Sequence, residues 1–418
     1  MIESSPLTRP MLPDMVGDDA PWRLLPAAQQ PDWPDPEALR RHLAFLCAYP
    51  GLVRAADCDR LRGRLAAAAR GEAFLLQAGD CAETFARLTP DRIVRQVQML
   101  TDLAAVLSGS LRQPVVTVGR IGGQYAKPRS EPYETRDGLT LPSYRGDAVN
   151  GLDFTAPSRT PHPARLYLMY HAAAVTLEVI RACPGGREIF TSHEALLLDY
   201  EHSLARGRHD GSRYGLSGHL LWIGERTRQI DGAHVDFAAG VRNPIAVKIG
   251  PTTTAGQIRA LTDRLDPRRE PGRLTFIVRM GAGQVRDALP ALVAEAVACD
   301  TPALWVCDPM HGNTCRAPSG HKTRFVDDIL CEIEGFFEVH RALGTYPGGL
   351  HLELTVDPVT ECVGGAGGPA LTDLSTRYET VCDPRLNDRQ AAEIVAAIAG
   401  IAASVGRVEA GAPGAMGG

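Results

Sequence analysis

From Glu72 onward the chain repeats one rhythm, a short apolar stretch rich in β-formers followed by an amphipathic helical stretch, and this rhythm restricts the fold more than any other feature. Eight stretches read as strands: AFLLQAG, PVVTVGR, HLLWIG, IAVKIG, LTFIVRM, ALWVCD, GLHLELT and YETVCD. Their apolar residues fall on both faces, as expected of a parallel sheet covered by crossover helices. Helical patterns such as DRIVRQVQMLTDLAAVL, TTAGQIRALTDRL and DDILCEIEGFFEVHRAL lie between them. The strands end in residues suited to metal or phosphate chemistry: Asp80-Cys81, Arg120, Glu225-Arg226, Lys248, Arg279, Asp308 with His311, Glu353, and Cys382-Asp383. An open doubly wound sheet gathers its ligand at one switch point and would leave several of these ends remote. A closed barrel brings all of them to one mouth. The expected fold is therefore α/β, a (β/α)8 TIM barrel with an N-terminal extension.

The 418 residues exceed the roughly 250 of a single barrel. The excess is assigned to an extension over residues 1–65, packed on a barrel at 66–405, and a flexible Gly-rich tail at 406–418. In the extension, Asp35 is an N-cap with Pro36 at the first helical position. With 44 Lys and Arg against 49 Asp and Glu, a net charge of −5 and no basic cluster, nucleic acid is not an expected partner. No apolar run reaches the ~18 residues of a membrane span and the N-terminus lacks a leader pattern, so a cytoplasmic, membrane-free protein is expected. Ten cysteines at irregular spacings, with no C-x-x-C pair, fit reduced thiols. Ser192-His193-Glu194 is read as a helix start, with Ser192 capping HEALLLDYEHSL, rather than as a nucleophile and its base. The long segment from Gln124 to Pro163 shows no clear element and is read as a functional loop.

Cys81, His311, Glu353 and Asp383 offer one thiolate, one imidazole and two carboxylates from four strand ends. Mixed S, N and O donors suit a borderline divalent ion, Mn2+ or Co2+ first and Fe2+ or Zn2+ next, better than Mg2+ or Ca2+. His351 shares the strand face of Glu353 and is read as a supporting or core residue. A second set is cationic: Arg120, Lys127, Arg129, Arg145, Arg226, Lys248 and Arg279. Three of these, Arg120, Lys248 and Arg279, end apolar strands, where a charge is costly unless it faces an anion.

The motifs PWRLLPAAQQPDWPD, LLQAGDCAETF, GRIGGQYAKPRS, LPSYRGDAVNG, SHEALLLDYE, WIGERTR, NPIAVKIGPT, CDPMHGNT, GGLHLELTVDPVTEC and YETVCDPRLN resemble those of the type II (plant-type) 3-deoxy-D-arabino-heptulosonate 7-phosphate (DAHP) synthases, from about Trp22 to Val405. The resemblance implies a metal-dependent transferase that condenses phosphoenolpyruvate with D-erythrose 4-phosphate and water to give DAHP and phosphate, the first step of the shikimate pathway and of aromatic amino acid and chorismate biosynthesis. It places the metal on Cys81, His311, Glu353 and Asp383. It places phosphoenolpyruvate on Arg120, Glu225, Arg226, Lys248 and Arg279, and the sugar phosphate on the loop of Lys127, Arg129 and Ser130. Glu225 and Lys248 are the catalytic candidates that position water and move its proton. A homo-oligomer, a dimer or larger, is implied, as is a possible chorismate mutase partner.

The chain departs from the family pattern in places. The link between Arg181 and Ser192 is short where pathway-controlling members carry a helical insertion, which implies weak feedback control, as in members serving phenazine or other secondary metabolism. Val356 stands where the family has Gly after Glu-x-Thr, so the loop after that strand is expected to differ in shape. Ala78 replaces a Gly before Gly79-Asp80-Cys81. The alternatives to the leading reading are an aminoDAHP synthase acting on an amino-sugar phosphate, a metal-dependent aldolase for other phosphosugars, and a non-catalytic partner of a chorismate-pathway enzyme. Cys382, beside Asp383, is a candidate for a redox-sensitive disulfide with Cys81.

Overall fold

The structure, a computed structural model, describes residues 20–407. Eight parallel strands close into a barrel in chain order. They are β1 (Phe74–Gly79), β2 (Val115–Arg120), β3 (Phe190–Glu194), β4 (Leu220–Ile223), β5 (Ile245–Ile249), β6 (Leu274–Val278), β7 (Leu304–Cys307) and β8 (Gly349–Glu353). Every strand position except Val115 is buried, as a sheet covered by helices requires. β8 returns to β1, with Gly79 opposite both Glu353 and Arg120. Gly79 has φ +152°, and a Cβ there would lie 2.5 Å from the Arg120 carbonyl oxygen, so glycine is what lets these ends come together.

Two strand assignments differ from the sequence reading. Phe190–Glu194 is a barrel strand and not a helix start; the helix that follows covers only Leu198–Ser203. Its polar residues conceal it because their partners are inside the barrel: Ser192 Oγ accepts from Gln77 Nε2 at 2.9 Å and donates to the Gly119 carbonyl at 3.1 Å. Conversely, YETVCD is no strand but part of the loop between β8 and the last helix. Local loop contacts replace a ladder there: Glu379 N donates to Glu361 Oε1 at 3.1 Å and Cys382 N to Thr380 Oγ1 at 3.2 Å. Pro384, which has no N–H, follows directly. Val356 has no positive φ, so the loop after β8 accommodates a β-branched residue at that point.

Period-2 alternation sorts the strand residues into two layers. Outward residues such as Leu76, Val247, Phe276 and Leu352 join the helices in one apolar cluster. Inward residues are apolar low in the barrel, where Leu75, Val116, Leu220, Ala246, Ile277 and Leu304 cluster with Leu61, Leu65 and Ala68 of α2 (Ala55–Ala69). Thus α2 stoppers the N-terminal end. The helix before it, α1 (Pro36–Ala48), starts as expected, Asp35 Oδ1 accepting from Ala38 N at 2.8 Å, and packs on the helix Ala164–Ala182. The segment 124–163 carries a hairpin, Tyr133–Arg136 with Leu139–Pro142, and a short helix, Ala156–Arg159. The expected tail lies outside the described residues beyond 407. Among the described residues, no helix is long and apolar enough to cross a membrane.

Candidate active site

High in the barrel the inward positions turn polar, and the strand ends surround a cleft of about 180 Å3. It is lined by six cationic side chains, Arg120, Lys127, Arg226, Lys248, Arg279 and Lys322, and three carboxylates, Glu194, Glu225 and Asp383. Trp222 of β4 gives it an aromatic wall, with Arg120 Cζ 5.0 Å and Lys248 Nζ 5.9 Å from the ring centroid.

Glu353 is the centre of the charge network. Its Oε1 accepts from Arg120 Nη2 at 2.8 Å and Lys127 Nζ at 3.3 Å, and its Oε2 accepts from Arg324 Nη2 at 2.9 Å. Burial alone would raise the Glu353 carboxyl, but His311, Lys127, Arg324 and Arg120 hold it well below the usual carboxylate range. Asp383 Oδ1 accepts from Lys322 Nζ at 2.9 Å, and its Oδ2 lies 3.6 Å from Lys127 Nζ. Against its burial, Lys127 and then Lys322 and Arg324 hold that carboxyl low as well. Lys127, although buried, is held protonated by Glu353 and Asp383.

His311, Glu353 and Asp383 each bring one ligand atom within 4.8 Å of the others. His311 Nδ1 lies 2.8 Å from Asp308 Oδ2, a carboxylate held ionised against burial by His311 and Lys248. That contact orients the ring, and its Nε2 lies 3.2 Å from Glu353 Oε1. An imidazole nitrogen and two carboxylates brought together in this way are a donor set that fits a divalent cation. Cys81, buried at the end of β1, stands beside this trio, but its Sγ lies 3.4 Å from Thr380 Oγ1. Thr380 gives its own hydrogen to the Asp383 carbonyl at 2.7 Å, so Cys81 is the donor and keeps its proton. Burial, then Glu353, raises that thiol. Cys382 is pushed up to about 12 by burial, and both cysteines are free thiols.

The cations divide. Arg120 is 1% exposed and donates to the Asp80 carbonyl at 3.1 Å as well as to Glu353. His351 Nε2 also meets the Arg120 guanidinium, and its Nδ1 lies 2.8 Å from Gln77 Oε1, so the neutral ring positions Arg120. Lys248 Nζ donates to Asp308 Oδ2 at 3.0 Å, yet burial lowers its pKa to about 8. Arg279 Nη2 donates to the His311 carbonyl at 3.2 Å, Arg226 to Ser130 Oγ. Arg129 is turned toward Glu134, 3.2 Å away, and does not line the cleft. Arg145 belongs elsewhere: it donates to the Gln29 and Gln30 carbonyls, at 2.6 and 3.3 Å, and fastens the N-terminal segment. Glu225 Oε1 accepts from Arg228 Nη2 at 2.9 Å, and its Oε2 has no partner among the described residues.

Sequence reasoning missed Glu194, Lys322 and Arg324. Glu194 ends the unrecognised strand β3; burial raises its pKa, and its Oε1 has no partner among the described residues. At Gly224 a Cβ would lie 2.1 Å from that oxygen, so glycine leaves the room it needs. Lys322 and Arg324 arrive on an excursion after β7, where Cys315–Arg316 pairs with Lys322–Thr323, and no strand-end pattern marks them.

Fold and site together define a barrel enzyme suited to multiply anionic substrates and a divalent cation. The chain matches the Class-II DAHP synthetase family over residues 18–188 and 184–399, and it belongs to that family. It is 52% identical to the phospho-2-dehydro-3-deoxyheptonate aldolase of Streptomyces coelicolor, over 90% of this chain and 96% of that one. With the phospho-2-dehydro-3-deoxyheptonate aldolase AroG of Mycolicibacterium smegmatis it shares 43%, over 90% and 92% of the two chains. The structure of phospho-2-dehydro-3-deoxyheptonate aldolase from Francisella tularensis SCHU S4 shares the fold, with a TM-score of 0.51, 13% identity, and 86% of this chain and 96% of that one covered.

Proposed function

We propose that the protein condenses phosphoenolpyruvate with D-erythrose 4-phosphate and water, releasing phosphate and DAHP, the step that opens the shikimate pathway. The observation that carries this reading is the meeting, in one cleft, of a cationic wall with His311 and Asp383, each with a ligand atom within 4.8 Å of the buried Glu353. Arg120, Arg226, Lys248 and Arg279 bind the phosphate and carboxylate of phosphoenolpyruvate, with guanidinium forks matching the planar oxygens. Lys127, which lines the cleft, takes the phosphate of the four-carbon sugar, joined by Ser130 and, once it turns from Glu134, by Arg129 on the same loop. Cys81, once its thiol turns from Thr380 and ionises, completes with His311, Glu353 and Asp383 a four-donor set for a divalent ion, Mn2+ or Co2+ before Fe2+ or Zn2+. When bound, that ion supplies Lewis-acid polarisation of the sugar aldehyde.

C3 of phosphoenolpyruvate then forms a bond to C1 of the sugar, and water adds at C2 before the C–O bond to phosphate breaks. Glu225, with Oε2 unengaged, orients that water and accepts its proton. Lys248, with a pKa of about 8, holds the phosphate as a cation and can return a proton to it at Nζ as it leaves. The short link at 183–189 supports weak feedback control. The protein acts as a homo-oligomer.

The acceptor is tested by phosphate release from phosphoenolpyruvate with erythrose 4-phosphate beside the corresponding amino-sugar phosphate. A kcat/KM at least tenfold higher for erythrose 4-phosphate is expected; the reverse order makes the enzyme an aminoDAHP synthase.

A further inference from the structure

A second polar pocket, of about 520 Å3, opens at the other end of the barrel from the active cleft, between the start of α2, the last turn of the helix Ala164–Ala182 and the approach to β3. Four arginines line it, Arg54, Arg60, Arg181 and Arg187, against one carboxylate, Asp57. Asp57 engages two of them, accepting from Arg54 Nε at 2.9 Å and lying 3.4 Å from Arg60 Nη2. Arg181 reaches Glu178 Oε1 at 2.5 Å and the Leu52 carbonyl at 2.8 Å. The guanidinium of Arg187 has no partner among the described residues, so positive charge is left over. α2 also presents its N-terminus here, and Arg54 at the cap position provides no side-chain acceptor for its first N–H groups.

An independent observation comes from His219, which is only 7% exposed and forms part of the pocket wall. Its Nδ1 accepts from the backbone N–H of Thr191 at 2.9 Å. A backbone N–H can only donate, so the ring hydrogen must sit on Nε2. That Nε2–H has no partner among the described residues, and burial keeps the ring neutral. The pocket thus holds a fixed imidazole donor, a surplus guanidinium and a helix N-terminus. Leu52, Leu177, Ile180 and Ile189 give it an apolar side.

We propose that this pocket binds a small organic anion, a phosphate or carboxylate group on a compact apolar body. The oxyanion sits against His219 Nε2, Arg187 and the start of α2, where a charge-assisted hydrogen bond replaces one to water. The body lies on the aliphatic side chains. Phe190 and Thr191, which border the pocket, begin the strand that ends at Glu194 in the active cleft, so the two sites share β3 but not their residues.

Calorimetric titration of the full chain with phenyl phosphate, and separately with phenylacetate, tests this. Wild type and Arg279→Ala should both show a saturable site for at least one probe, and Arg187→Glu and Arg54→Glu, both at exposed positions, should each weaken it tenfold or more. The tighter probe assigns the oxyanion. No saturable binding of either probe overturns the proposal, and so does binding that Arg279→Ala abolishes while Arg187→Glu leaves it intact, because the probe then occupies the active cleft.

Discussion

At the scale of single residues, the site is organised by which carboxylates keep their charge. Glu353, fully buried, and Asp383, partly buried, stay ionised because basic side chains surround them, whereas Glu194, in the same cleft, is raised by burial. Arg324 is the partner with no access to solvent: it is 0% exposed, and among the described residues its one ion pair is with Glu353 Oε2 at 2.9 Å. Replacing it by Met keeps much of the volume but leaves that oxygen without its donor. Divalent-metal affinity and kcat/KM should each fall roughly 10–100-fold, the range typical of lost outer-shell support. Metal titration followed by steady-state kinetics checks this, and wild-type values for both would remove Arg324 from the account.

Secondary-structure elements show what the sequence could and could not reveal. Seven barrel strands were legible because they are short apolar runs between helical patterns; β3 was not, since Thr191, Ser192 and His193 satisfy their polar groups inside the protein and leave no apolar signature. The missing strand also hid Glu194. YETVCD has the β-branched and aromatic composition of a strand, but no neighbouring edge receives it, because β8 already closes on β1. Asp383 still reaches His311 and Glu353, carried by a loop rather than a strand end. Lys322 and Arg324 were invisible for a similar reason: proximity across a loop excursion leaves no periodicity. The role of α2 as a stopper was equally unreadable, since an amphipathic helix does not declare which surface it covers. Leu65 is fully buried in that contact. Truncation by Leu65→Ala should cost about 2–5 kcal/mol of stability, read from urea unfolding, with KM for both substrates unchanged. A loss below 1 kcal/mol, or a large change in KM, would contradict the assignment of α2 to stability alone.

The whole molecule stacks three functions along the barrel axis: a helix at one end, an apolar lower interior, and a charged upper interior opening into the cleft. Its buried histidines make stability depend on pH. Burial depresses His219 and His340 to about 3 and His234 to about 4. In the unfolded chain each takes up a proton near 6.5, so on acidification the unfolded state binds more protons. The contribution is complete above about pH 6.5 and is lost as pH falls toward the folded values. Between pH 6.5 and 5 the loss should be roughly 5 kcal/mol for the three histidines together. Denaturant unfolding at the two pH values measures it; equal or greater stability at pH 5 is incompatible with neutral buried rings.

The most direct test of the central claim, that the trio and the cationic wall serve one condensation, is consumption of phosphoenolpyruvate in the presence of erythrose 4-phosphate by metal-stripped protein, with and without added Mn2+ or Co2+, beside His311→Ala. The account predicts activity that appears only with metal, releases one phosphate for each phosphoenolpyruvate consumed, and is absent in the variant. Full activity of the stripped enzyme, or a His311→Ala variant as active as wild type, would contradict it.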